Sequence, residues 1–121
     1  MKFKICHGST RIVVCIGSVA IKLPRFDRWR NFLLGLLANL QERDFSSCGW
    51  PELCPVIWAA PGGFLSLMKR ARPMTEAEFE VFDWDMWARK SLEDDYFVPV
   101  EPKVSSFGWM DGRLVAVDYG N

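Results

Sequence analysis

The residues of this chain that could do chemistry are charged side chains set in short motifs among apolar segments. Lys22 ends the apolar stretch Val19-Ala20-Ile21-Lys22, and a lysine is a compact cation with three hydrogen-bond donors. Carboxylates lie far away in the sequence, at Glu101 and in Asp118-Tyr119-Gly120. Whether these side chains form a site depends on the elements that bring them together.

Cysteine and histidine chemistry is not favoured. The spacing of Cys6, Cys15, Cys48 and Cys54 matches no zinc-binding pattern, and His7 is the only histidine. A disulfide between Cys48 and Cys54 is conceivable. Because no secretory signal is recognisable, free, buried thiols are the preferred interpretation.

Strands are predicted where β-branched and other apolar residues run between turn residues. The predicted strands cover residues 2–6, 11–16, 18–23, 55–60, 63–68, 107–110 and 113–117. Pro61-Gly62 joins the fourth and fifth strands, and both are so apolar that we expect them to be central and well covered. Asp111-Gly112 is a strong signal for a tight hairpin between the last two.

Two helices are predicted. Apolar residues recur at three- and four-residue steps over residues 26–44, which is typical of an amphipathic helix. Gly35 inside this helix indicates close packing, since a helical glycine otherwise costs about 1 kcal/mol relative to alanine. A second helix begins with a capping box at Thr75 and Glu78, and its apolar stripe extends to Trp87.

The order of these elements predicts an α+β fold. We expect a five-stranded, mainly antiparallel sheet with one long helix, then a second helix and a terminal β-hairpin. A chain of 121 residues favours a single domain over residues 1–121.

The charges are unevenly distributed although the net charge is zero. Residues 1–43 carry eight Lys or Arg and two acidic residues, whereas residues 44–121 carry seven and thirteen. This indicates either two solvated faces or a basic face for an anionic partner. No basic stripe with interleaved aromatic residues points to nucleic acid, and no apolar run approaches the roughly 20 residues of a membrane span. We therefore expect a cytoplasmic protein that binds neither nucleic acid nor membrane.

The order of the first six elements resembles that of the amino-terminal lobe of protein kinases, in which three strands, one helix and two strands follow one another. Val19-Ala20-Ile21-Lys22 lies on the third strand, where kinases keep the lysine that holds the ATP phosphates. The resemblance implies that Lys22 pairs with Glu42, twenty residues further on in the predicted helix. Gly8-Ser9-Thr10-Arg11 stands at the position of the glycine-rich loop.

The resemblance extends into the last third of the chain. Kinases have a catalytic-loop Asp, a Lys two residues later and an Asn five residues later, and the same spacing falls here on Glu101, Lys103 and Ser106. Asp118-Tyr119-Gly120 follows a hairpin, as the metal-binding Asp-Phe-Gly does in kinases. The resemblance therefore implies that Glu101 is the catalytic base and that Asp118 and Ser106 are metal ligands. The implied nucleotide-binding residues are Gly8, Lys22, Glu42 and Asp118.

Each of these residues also has a simpler interpretation. Lys22 would pack its stem on the strand and extend its ammonium into water. Glu42 would be a solvent-facing helix residue and Asp118 a capping residue. Glu101 and Lys103 would be ordinary loop charges.

Departures from the kinase pattern shape the functional prediction. Glu101 is one methylene longer than the aspartate it replaces, Ser106 is a poorer metal ligand than asparagine, and the loop at residues 8–11 lacks two of the family's glycines. We therefore predict a truncated, catalytically impaired, pseudokinase-like interaction module. The resemblance is closest to small kinase-like proteins of bacteria and their phages, so the partner would be a host protein or a second copy of the chain.

The contact surface and the alternative function are also predicted. The aromatic residues expected to form an exposed patch are Trp84, Trp87, Phe97 and Trp109. An interaction module of this kind needs no cofactor. The alternative is a minimal ATP-binding protein or phosphotransferase that uses Mg²⁺.

Overall fold

Five antiparallel strands form the main sheet, in the order β1-β2-β3-β5-β4. These coordinates are a computed structural model that describes residues 3–8 and 10–119. The strands are β1 (Phe3–His7), β2 (Arg11–Ile16), β3 (Val19–Pro24), β4 (Val56–Ala59) and β5 (Ser66–Lys69). The predicted five-stranded sheet is thus confirmed. Ser9, Gly120 and Asn121 lie outside the described residues.

Helices and a second sheet complete the predicted α+β architecture. The helices are α1 (Trp29–Ser46), α2 (Glu76–Val81), α3 (Trp84–Trp87) and α4 (Arg89–Glu93), with 3₁₀ turns at Pro61–Gly63 and Val104–Ser106. The second sheet comprises β6 (Arg72–Pro73), β7 (Phe107–Met110) and β8 (Arg113–Ala116). No helix in the described part of the chain is long and apolar enough to cross a bilayer.

The terminal hairpin of β7 and β8 has the tight turn that its sequence predicts. Asp111 and Gly112 both have positive φ angles, of 53° and 79°, as a tight two-residue turn between twisted strands requires. The hairpin is fixed to the segment after α1, since the Cys54 N–H donates to the Ala116 carbonyl at 2.9 Å and the Ala116 N–H to the Glu52 carbonyl at 2.7 Å. This contact positions residues 117–119 beneath the main sheet.

The core lies between the main sheet and the hairpin. Its most deeply buried apolar residues are Leu53, Cys54, Met68, Leu114, Val115, Ala116 and Tyr119. The Tyr119 hydroxyl donates to the Cys54 carbonyl at 2.6 Å, so the buried phenol is satisfied. All four cysteines have free thiols, as expected, but the expectation that they are buried is met only by Cys54, since Cys6 and Cys48 are exposed.

Helix α1 buries a different face from the one that its apolar periodicity indicates. The residues buried against the sheet are Gly35, Ala38, Asn39 and Glu42. The apolar residues Trp29, Leu33 and Leu37 are instead 72%, 45% and 48% exposed. The amphipathicity of α1 is therefore inverted: its small and polar side chains face the sheet, and its apolar side chains face outward.

Two other local predictions are wrong. Strand β4 is an edge strand of the main sheet, and its Ile57 and Trp58 are exposed rather than well covered.

The second predicted helix is broken at Phe82, whose extended conformation ends α2. Asp83 then caps α3 by accepting from the Met86 N–H, so a second capping signal overrides the continuous apolar stripe. The predicted capping box at Thr75 and Glu78 is confirmed.

The predicted aromatic patch is also wrong for three of its four members. Trp84, Trp87 and Trp109 are partly buried and pack against the hydrophobic core. Trp84 and Trp87 lie with their ring centroids 4.8 Å and 5.5 Å from that of Phe107. Only Phe97 is largely exposed, at 81%.

Close packing at Gly35 gives a test of the inverted helix. A Cβ at this position would lie 2.5 Å from the Thr10 carbonyl oxygen and 2.7 Å from the Pro24 Cα. Gly35→Ala is therefore expected to lower the free energy of unfolding by about 1–3 kcal/mol, although alanine raises helix propensity. Urea denaturation would measure this, with Arg30→Ala on the exposed side of α1 as the control. A stabilised Gly35→Ala variant would contradict the packing.

Candidate functional site

A buried carboxylate, Glu42, is the centre of a cluster of four charged side chains. Arg11 binds it with both terminal nitrogens, Nη1 to Oε1 at 2.7 Å and Nη2 to Oε2 at 2.8 Å. Lys22 Nζ donates to Oε1 at 2.8 Å. A planar guanidinium matches a carboxylate in this two-point geometry, which a lysine cannot reproduce.

Backbone groups of residues 117–119 complete the cluster. The Tyr119 N–H donates to Glu42 Oε2 at 3.0 Å, so the carboxylate accepts four hydrogen bonds, about as many as it has lone-pair positions. Lys22 Nζ also donates to the Val117 carbonyl at 2.5 Å. The chain after β8 is therefore held to the main sheet by polar contacts as well as by the core.

Asp118 provides the second carboxylate. Its Oδ1 accepts from Arg11 Nη2 at 2.7 Å, and its side chain is 32% exposed. Glu42 and Lys22 are almost fully buried, at 0% and 5% side-chain exposure. The cluster thus contains two cations and two carboxylates, and its charges balance internally.

Asn39 ties the same cluster to the backbone of two other elements. It lies three residues before Glu42, on the same face of α1. Its Oδ1 accepts from Arg11 Nη1 at 3.1 Å, and its Nδ2 donates to the carbonyls of Lys22 and Gly63. Every polar atom of this fully buried amide has a partner, which fixes α1 relative to β3 and to the β4–β5 turn.

The electrostatics of the cluster favour an ionised Glu42. Burial alone would raise the pKa of Glu42, but Lys22 and Arg11 outweigh it and lower the pKa from its ordinary 4.5 to about 2. Burial lowers the pKa of Lys22, and the neighbouring charge of Arg11 adds to this effect against the opposing charge of Glu42. An anion placed beside Lys22 would raise this pKa again, because a negative charge favours the ammonium form.

A cleft of about 470 Å³ opens beside this cluster, between the main sheet and the hairpin. Its apolar walls come from both sheets and from the segment between them, and they include Val13, Ala20, Met68, Met74 and Phe107. Arg11, Lys22 and Asp118 line one part of the cleft. The volume and the mixture of apolar walls with a few charged groups are typical of small-molecule sites.

Further cations lie around the cleft. Lys4, Lys69 and Arg70 line it and are exposed. Because Glu42 and Asp118 balance the charges of Arg11 and Lys22, these three cations give the cleft its positive potential. The cleft therefore suits an anionic ligand.

The structure brings together some of the residues that the sequence singles out. Lys22, Glu42 and Asp118 share the charged cluster, but of these three only Lys22 and Asp118 line the cleft. The simpler interpretation of Lys22, with its ammonium in water, is wrong because this side chain is buried. Glu42 likewise does not face solvent.

The remaining predicted residues lie elsewhere. Glu101 pairs with Lys103 at 3.2 Å on the surface, where their side chains are 62% and 54% exposed, and neither lines the cleft. Gly8 is exposed and forms the β1–β2 turn, with its N–H donating to the Arg11 carbonyl at 2.8 Å. Ser106 is fully buried, and its hydroxyl has no hydrogen-bond partner among the described residues.

Two central residues, Arg11 and Asn39, are not identified by the sequence analysis. A signal for Asn39 exists, because Gly35, Ala38, Asn39 and Glu42 are spaced as one stripe on an otherwise apolar helix. Arg11 alternates with Val13 and Cys15 along β2, so all three share the face that lines the cleft. Nothing in the sequence distinguishes Arg11 from the surface arginines near it.

The sequence matches no protein-family model, and no curated protein is significantly similar to it. The chemistry of the site therefore has to be argued from the geometry described above.

The central role of Glu42 can be tested by substitution. Glu42→Gln removes the charge that balances two buried cations, so it is expected to lower the free energy of unfolding at pH 7 by about 3–5 kcal/mol. Glu101→Gln breaks an exposed pair and is the matched control, with an expected loss of at most about 1 kcal/mol.

The same variants give a pH dependence with a defined sign. The pKa of Glu42 is lower in the folded state, so the ionised carboxylate stabilises the fold above pH 4.5. The difference in free energy of unfolding between the wild type and Glu42→Gln should therefore shrink as the pH falls from 4.5 to about 2. Denaturant titrations of both proteins at several pH values would measure this difference in free energy of unfolding. A difference that is independent of pH would contradict the assignment.

Proposed function

We propose that this chain is a catalytically impaired, kinase-like module that binds a nucleotide-type ligand in its cleft without transferring phosphate. The observation that carries the proposal is the 2.8 Å pair of Lys22 and Glu42 next to a cleft between two sheets. The order of three strands, a helix and two strands, followed by a hairpin that leads to Asp118, also supports it.

The cleft offers complementary surfaces to both parts of such a ligand. Ala20, Met68 and Phe107 provide apolar contact for a flat ring. Lys22 uses two of its three ammonium hydrogens within the protein, for Glu42 and for the Val117 carbonyl, which leaves one donor for an anion. Lys4 and Lys69 add positive charge nearby.

The position of Glu101 supports binding without phosphoryl transfer. A general base has to lie within hydrogen-bonding reach of the attacking hydroxyl, and Glu101 is instead paired with Lys103 outside the residues that line the cleft. Asp118, the other carboxylate that the kinase pattern requires, is bound by Arg11. The geometry therefore favours a module that binds its ligand and does not turn it over.

ATP is expected to stabilise the protein. At ten times its Kd it would add about 1.4 kcal/mol to the free energy of unfolding, a shift of several degrees in Tm. Lys4→Glu should reduce this shift, whereas Arg43→Glu on α1, which changes the net charge equally but lies outside the cleft lining, should not. Thermal melts with and without ATP would measure this, together with an assay for ADP release, which we expect to be negative. No shift at millimolar ATP would refute the proposal.

A second candidate function, binding of a protein partner, is favoured by the outer face of α1, defined by Trp29, Leu33 and Leu37. Ring contacts extend this face from α1 to Phe64. Trp29 stacks on Phe32 with their ring centroids 5.7 Å apart, and the Phe32 centroid lies 6.1 Å from that of Phe64. An apolar helix face with exposed aromatic rings is typical of an interaction surface.

The charges beside this face indicate the chemistry of the partner. Arg28 and Arg30 are exposed beside Trp29, and the first turn of α1 contains no acidic residue. Because these flanking charges are positive, we propose a cytoplasmic host protein whose apolar contact is bordered by acidic side chains. Such a partner would suit a protein of a phage or another mobile element.

Leu33→Glu on the outer face of α1 is expected to abolish partner binding, and Leu92→Glu, at a still more exposed leucine of α4, should leave it unchanged. A pull-down from host-cell lysate with the purified chain would identify the partner. The affinity between the two purified proteins should fall as salt is raised, because Arg28 and Arg30 contribute. Solution mass decides the alternative. A 13.9 kDa monomer is expected, and a dimer abolished by Leu33→Glu would assign the face to a second copy instead.

A further inference from the structure

The carboxylates at the charged end of the cleft are already bound by an arginine. Arg11 Nη2 donates to Glu42 Oε2 and to Asp118 Oδ1, while Nη1 donates to Glu42 Oε1 and to Asn39 Oδ1. The Arg11 side chain is only 6% exposed, so four hydrogen bonds to three residues hold a buried guanidinium in place.

A magnesium ion does not fit this arrangement. Mg²⁺ requires oxygen ligands in near-octahedral geometry, usually one or two carboxylates together with the substrate phosphates. Glu42 already accepts four hydrogen bonds, and Asp118 shares its charge with Arg11.

The second metal ligand that the kinase resemblance implies is not available either. Ser106 is fully buried, and it is the neighbouring Ser105 that lines the cleft. A neutral hydroxyl would in any case do little to offset the repulsion between a divalent cation and the fixed charge of Arg11.

We infer that Arg11 occupies the carboxylates that would otherwise hold a divalent cation in this cleft, so that an anionic ligand binds there without Mg²⁺, to Lys22 and the exposed cations around the cleft. The inference rests on the proposed nucleotide site. Asp118 then serves to position Arg11 rather than to hold a metal. An arginine in this role is always charged, and it cannot be removed by a chelator.

The direct test is calorimetric titration of the wild-type chain with ATP, in the presence of excess Mg²⁺ and separately in EDTA. We expect the affinity in EDTA to be at least equal to that in Mg²⁺, within about twofold, because free ATP carries more negative charge than its magnesium complex. Binding that is tenfold or more weaker in EDTA would overturn the inference and leave the proposed function standing. Absence of binding under both conditions would overturn both.

Two variants separate a positioning role for Asp118 from a metal-binding one. Asp118→Asn keeps the shape of the side chain and removes the charge, and the ratio of its ATP affinities in EDTA and in Mg²⁺ should stay within about twofold of the ratio in the wild type. A ratio that moves tenfold or more in favour of EDTA would show that Asp118 holds the metal and would overturn the inference. Because Asp118 is partly exposed, this substitution is expected to leave the fold intact.

Arg11→Lys provides the complementary readout. It retains one positive charge but cannot bind Glu42 and Asp118 together, so it should gain binding of Mn²⁺, measured by electron paramagnetic resonance, and at least a fivefold dependence of ATP affinity on divalent cation. A folded Arg11→Lys chain that remains independent of metal would overturn the inference. If this variant does not fold, the Asp118→Asn titration decides by itself.

Discussion

The carboxylate of Glu42 is the interaction on which the rest of this structure depends. Burying it alone would be prohibitive, and it is stable only because donors from β2, β3 and the segment after β8 all reach it. Each of these elements is in turn positioned by the same contact. The main sheet, helix α1 and the hairpin are therefore joined by one polar centre as well as by an apolar core.

This centre explains the inverted amphipathicity of α1. A helix that carries Asn39 and Glu42 toward the sheet, with Gly35 in direct contact with the backbone at Thr10 and Pro24, has its apolar stripe on the opposite side. The stabilising effect of the ion pairs is modest once desolvation is counted, whereas breaking them is costly. The arrangement therefore specifies one docking of the helix more than it adds net stability.

The sequence was sufficient for the order of the five strands of the main sheet and for the terminal hairpin, because these follow from β-branched runs and turn chemistry. The pairing of Lys22 with Glu42 was expected only from the resemblance to kinases, and the structure places these two side chains in a hydrogen bond. The sequence was insufficient where tertiary contacts decide. Apolar periodicity indicates that a helix such as α1 is amphipathic, but a buried polar network determines which face is covered. Arg11 is the clearest case, since its partners lie 28 to 107 residues away in the sequence and no local pattern marks them.

The contact between Arg11 and Asp118 has a consequence for synthesis on the ribosome. The two residues are separated by 107 positions in the sequence. Tyr119, whose N–H donates the fourth hydrogen bond to the Glu42 carboxylate, is translated later still. While the chain is being translated, β1 to β5 and α1 would emerge with Glu42 lacking one of its four donors and with the Arg11 guanidinium only partly used. The main sheet and α1 would thus lack their polar contacts with residues 117–119 until those residues leave the exit tunnel, and only then could the native structure form fully.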